Sequence, residues 1–108
     1  MAAFEDFLTG LKNDVIVFAE SEWKNAKGDA IKDGNAFVQS CKADLQTWTN
    51  QLAAKQLTVK DFEFLVKGKK DLATLQALKN AGLAQAKLDA FVNGLIVVIV
   101  KSATKAFV

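Results

Sequence analysis

Between Val15 and Leu52 an apolar or small residue returns at every third or fourth position: Val15, Ala19, Trp23, Ala26, Ala30, Gly34, Phe37, Cys41, Leu45, Trp48 and Leu52. Val15, Ala26, Phe37 and Trp48 share one phase, so the pattern repeats every eleven residues. Eleven residues over three turns is about 3.67 per turn, close to a relaxed α-helix, and such a stripe runs nearly straight. Nothing in this half alternates with the period of two that a half-buried strand requires. The pattern predicts one long helix over about 3–54. Its weak stretch is 28–34, because Gly28 and Gly34 each weaken a helix by ~1 kcal/mol relative to alanine.

The second half is punctuated differently. Thr58 with Asp61 three residues on reads as a helix N-cap of the capping-box kind. A helix over about 58–80 follows, with Phe62, Leu65, Leu72, Leu75 and Leu78 on its apolar side and Gly68 as a point of interruption. Asn80-Ala81-Gly82-Leu83 resembles a glycine stop followed by a hydrophobic residue. A third helix then runs over about 84–107. Asn93-Gly94 is a hairpin-turn dipeptide, and the β-branched run at 95–100 offers a strand as the alternative. The spacing from Leu88 to Phe107 favours the helix.

These lengths predict an all-α fold: an elongated antiparallel helical hairpin, a single domain over 1–108, with one long helix of ~75 Å packed against two shorter ones. A turn near 54–57 sets Phe37 opposite Leu75, Gly34 opposite Leu78 and Val15 opposite Val97. The third helix carries two apolar stripes, Leu88-Phe91-Leu95-Ile99 and Val92-Ile96-Val100-Ala103-Phe107. A two-armed hairpin has a partner for one stripe only. Within 1–19 and 90–108 the only charges are Glu5, Asp6, Lys12, Asp14, Lys101 and Lys105, so the hairpin ends in an apolar tip. Apolar patches of that size mark protein or membrane contact. The expected interface is Phe4, Leu8, Leu11, Ile16, Val17, Val92, Ile96, Val100, Ala103 and Phe107.

Composition adds to this picture. Hydrophobic residues make up 51% of the chain, more than a thin rod hides by itself, so a homo-oligomeric helical bundle of coiled-coil type is expected. The absence of proline permits long helices. Candidate chemistry is mostly excluded. There is no histidine, which removes the usual general base, the Ser-His and Cys-His nucleophile pairs, and the histidine ligands of haem, zinc and di-iron sites. All the basic residues are lysine, which removes the bidentate fork that reads phosphate or guanine, so specific nucleic-acid binding is not expected. Asp29, Asp33 and Asp44 fall near Asp61 and Asp71 in the hairpin, without the loop pattern of a calcium site; surface ion pairs with the interleaved lysines are the expectation. Lys67, Lys69 and Lys70 read as a solvated face, Trp23 and Trp48 as core, and Cys41 as a buried inert thiol.

The reading is therefore a non-enzymatic structural or interaction protein, with no cofactor, metal or small-molecule substrate, that assembles through residues 4–19 and 88–107. The alternative is a membrane-active helical protein using the same apolar tip on a bilayer or granule surface, and a different partner protein is a further option. Glu5 and Asp6 stand where a signal peptide carries positive charge. The uncharged run 90–100 spans ~16 Å against a bilayer core of ~30 Å. Both point to a cytoplasmic protein without a transmembrane helix.

Overall fold

In the computed structural model, which describes residues 3–108, the chain forms six α-helices: α1 (Ala3–Glu22), α2 (Lys27–Ser40), α3 (Lys42–Ala53), α4 (Val59–Lys67), α5 (Gln76–Asn80) and α6 (Gln85–Phe107). Single 3₁₀ turns lie at Lys24–Ala26 and Lys70–Leu72. The described residues contain no strand, and 95–100 lies within α6.

The local punctuation of the second half is as the residues dictate. The Thr58 hydroxyl accepts from the Asp61 backbone N–H at 3.1 Å, and the Asp61 carboxylate accepts from the Thr58 N–H at 3.3 Å. This reciprocal pair starts α4. Helix α4 ends at Gly68, where the expected 58–80 helix divides. At the end of α5, Gly82 takes φ +86°. Its N–H then donates to the Lys79 carbonyl, and that of Leu83 to the Leu78 carbonyl, which is the Schellman arrangement. The same pattern closes α3, with Lys55 at φ 62° in the position glycine usually occupies.

The first half differs from the expected single helix. Helix α1 stops at Glu22, and Trp23 and Ala26 leave the helical region (φ −128° and −133°). A second, milder break falls at Cys41. There the Ser40 hydroxyl, the Cys41 thiol and the Cys41 N–H all donate to one acceptor, the Phe37 carbonyl. Side chains that compete for a helix carbonyl bend the helix. The consequence of the first break is large. In a continuous helix Val15 and Gly34 are ~28 Å apart. Here a Cβ added to Gly34 sits 2.8 Å from the Val15 side chain, so α2 folds back along α1.

The hairpin register survives this folding. Phe18 lies on Gly94, Asp33 reaches Ala77 and Leu78, and the Lys69 amine lies 2.8 Å from the Asp44 carboxylate. Both arms double over together, and the longest dimension is 42 Å rather than ~75 Å. The accessible surface of 6355 Å² is close to the about 5,900 Å² that scaling gives for a monomer of 11.7 kDa. Doubling over also covers the second stripe of α6, which packs against α1 on one side and α4 and α3 on another. Val92, Ile96 and Ala103 are buried there, and Leu11 is buried on the inner side of α1. These four assigned interface positions are core positions of the single chain. Val97, expected opposite Val15, instead faces solvent.

Asp33 is a buried carboxylate that works across the fold. Its two oxygens accept from the backbone N–H groups of Ala77 (3.1 Å) and Leu78 (2.8 Å). It thereby caps α5 from α2, where the preceding Leu75 holds a left-handed backbone (φ 53°). Replacing Asp33 with Ala leaves those donors without a partner and is expected to lower stability by about 2 kcal/mol, with a smaller loss for Asp33→Asn, both read by urea unfolding.

The glycines supply a paired test. A Cβ at Gly94 sits 2.7 Å from the Phe18 ring, whereas one at Gly10 meets nothing within 4 Å. Gly10→Ala is expected to raise the unfolding free energy by up to ~1 kcal/mol through helix propensity. Gly94→Ala is expected to lower it by about 1–2 kcal/mol, because overpacking outweighs the same gain.

Candidate functional site

Helices α1 and α6 lie side by side and antiparallel. The Phe7 ring packs on Phe107 at 5.5 Å, the Ser102 hydroxyl donates to the Asp14 carboxylate, and Phe18 lies on Gly94. Their inner sides, with Leu11, Val15, Phe91, Leu95 and Ile99, form the core. Their outer sides form a face of the molecule. At its centre Val17 is 61% exposed and Val97 46%, while Ile16, 36% exposed, lies round α1 on the side away from α6. Val17 and Val98 line one shallow groove of about 330 Å³ along the seam.

Charge is distributed unevenly along this face. Toward the start of α1 stand the exposed Lys12, Lys101 and Lys105 together with the exposed Glu5 and Asp6, and with the half-buried Asp14 held by Ser102. Toward its end stand Glu20 and Glu22, the former 3.7 Å from Lys27. The aliphatic centre thus lies between two ends of mixed charge, with Lys101 and Lys105 at one and Glu20 and Glu22 at the other.

Of the ten expected interface residues, Ile16 and Val17 are exposed, and Phe4, Leu8, Val100 and Phe107 are half-buried against the core. Leu11, Val92, Ile96 and Ala103 are inside. The structure adds Val97 to the exposed set, with Val98 half-buried beside it. The signal for Val97 was its place outside both stripes of α6, but a run of aliphatic residues from 95 to 100 hides which one faces outward until the partners of the helix are known.

A second groove, of about 730 Å³, opens where α1 turns into α2. Phe18, Trp23, Ala90 and Gly94 form its apolar part, and Lys24, Lys87 and Glu22 stand in its lining. Trp23 is half-buried and packs edge-on to Phe91 at 5.5 Å. Trp48 is half-buried as well, beneath Lys69, whose amine lies 5.8 Å from the ring centre while pairing with Asp44. Lys67 pairs with Glu63 at 3.6 Å. Elsewhere, Phe64 is 77% exposed on α4. Among the described residues no group of three or more His, Cys, Asp or Glu side chains is placed to hold a metal ion.

Helix α6 is the one helix among the described residues long and apolar enough to cross a membrane by length and composition. Much of that apolar character belongs to the core: Leu88, Phe91, Val92, Leu95, Ile96, Ile99 and Ala103 are all buried.

Cys41 is buried, and burial, reinforced by the nearby Asp44 carboxylate, pushes its thiol up to about 11. The thiolate is the reactive form, and two units above the usual value remove it on the order of a hundredfold at pH 8. Alkylation by iodoacetamide at pH 8 is therefore expected to be at least about that much slower in the native protein than in the urea-unfolded chain, as followed by intact mass.

No protein-family model matches this chain, and no curated protein or solved structure shows significant similarity to it.

Proposed function

We propose that this is a non-enzymatic interaction protein that associates with copies of itself through the outer face of α1 and α6. The observation that carries the reading is the exposed aliphatic centre, Val17 and Val97, with Lys101 and Lys105 toward one end and Glu20 and Glu22 toward the other. The aliphatic centre of that face is complementary to itself. A two-fold axis lying across the helices reverses the face end for end. Aliphatic centre then meets aliphatic centre, and the Lys101 and Lys105 end of each copy lies over the Glu20 and Glu22 end of the other.

Burial of the centre supplies the driving force at ~25 cal/mol per Å², while the charges set orientation and encounter rate more than affinity. Helix α1 has 20 residues and is ~30 Å long. With α6 beside it the face measures ~600 Å², below the ~800 Å² per partner of a standard specific interface. The association is accordingly reversible and concentration-dependent. A lone buried thiol suits a reducing, cytoplasmic setting for it.

A membrane-active role is the second reading, favoured by the length and apolar composition of α6. It requires α6 to leave the bundle, which exposes the core of the other helices. Binding to anionic or neutral vesicles in a flotation assay, with loss of the Phe18–Gly94 packing, supports that reading against self-association.

Light scattering behind a sizing column tests the first reading. The mass is expected to rise from 11.7 kDa toward twice that value with concentration. Val17→Lys with Val97→Lys is expected to hold the chain as a folded monomer. Lys101→Glu with Lys105→Glu is expected to weaken association, and the further changes Glu20→Lys and Glu22→Lys to restore it. A wild-type chain that stays monomeric to millimolar concentration defeats the proposal.

A further inference from the structure

We propose that the groove at the α1–α2 bend binds a long-chain carboxylate, with its alkyl chain over Ala90 and against the Phe18 and Trp23 rings and its head group between Lys24 and Lys87. The groove is a product of residue size. Lys87, Ala90 and Gly94 are three and four residues apart and so form one row along α6. Ala90 has almost no side chain and Gly94 none, and the Phe18 ring seats on Gly94, so the row dips into a trough over Ala90 walled by Phe18 at one end. The rings of Phe18 and Trp23 contribute to the same lining from α1 and the bend, and Trp23 is held in place edge-on to Phe91. The volume of about 730 Å³ lies within the ~300–1,000 Å³ of small-molecule sites.

Polarity changes along the trough. The Gly94 and Phe18 end is apolar. The other end presents Lys87 and Lys24, neither of which forms an ion pair among the described residues. Glu22 shares the lining, and the two lysines outnumber it. An apolar trough with a cationic end fits a molecule with a hydrocarbon chain and one anionic head. A neutral lipid leaves the lysines without a partner, and a compact anion leaves the aromatic walls wet. The site does not use Ile16, Val17 or Val97, and it adjoins the self-association face through Phe18, Ser21 and Glu22.

Trp23 is the natural reporter. In a Trp48→Phe background, its emission is titrated with decanoate below the concentration at which decanoate forms micelles, with circular dichroism confirming the fold of each variant. The expected result is a saturable change in emission. Ala90→Phe, which fills the trough from an exposed position, is expected to abolish it. Lys24→Ala with Lys87→Ala is expected to weaken binding tenfold or more, and decanol is expected to bind more weakly than decanoate by a similar factor. A change that never saturates, no change at all, or an affinity untouched by Ala90→Phe or by the lysine pair overturns the proposal. The Val17→Lys, Val97→Lys monomer is expected to bind decanoate as the parent does, so the failure of one proposal leaves the other standing.

Discussion

One turn of α1 governs the architecture. Val15 seats on Gly34 of α2, and Phe18 seats on Gly94 of α6. In both places the neighbouring helix offers a bare backbone where any other residue would hold the helices apart. The two contacts are three residues apart, so the same short segment locks α1 to both neighbours at once. Close approach lets Phe91, Leu95 and Ile99 interleave with α1, and it draws α2 back along α1 rather than onward. The doubled-over shape follows from that junction, and with it the burial of apolar residues that a straight rod leaves wet.

Local chemistry makes the turns that the junction needs, and long-range contacts hold them. Thr58 and Asp61 start α4 through contacts within one turn of chain. By contrast, α5 is five residues long with a left-handed leucine before it, too short and too strained to persist alone. Its start is completed by a carboxylate from α2, so α5 exists where the two arms meet. The contrast separates segments that fold on their own signals from segments that are made by the fold.

That distinction explains how much of the structure was legible in the residues. Helical class, the Thr58 cap, the break at Gly68, the glycine stop at Gly82 and the limits of α6 are written in neighbouring residues, and all appear. The pairing level of the two arms was legible as well, because turn position alone sets it. The division of the first arm was not. An eleven-residue apolar repeat reports that each turn has a buried side, which holds for a straight helix and for three helices folded around a core. Ser21 and Asn25 are weak helix formers near the break, but so are many residues inside helices. The interface assignment inherited the error, since the second stripe of α6 looked unpartnered until α3 and α4 came alongside. Ile16 and Val17 stayed outside because four successive aliphatic or aromatic residues at 15–18 cannot all turn inward on one helix.

The packing of Phe7 on Phe107 joins segments from opposite ends of the described chain, and this has a bearing on synthesis. As the polypeptide leaves the ribosome, α1 emerges first and α6 much later. Through that interval the inner side of α1 has α2 as its available cover, by way of the Gly34 contact. The nascent chain therefore passes through a stage in which half of the eventual core is open to water. The break at Trp23, by letting α2 return early, shortens the exposure that an uninterrupted helix would prolong.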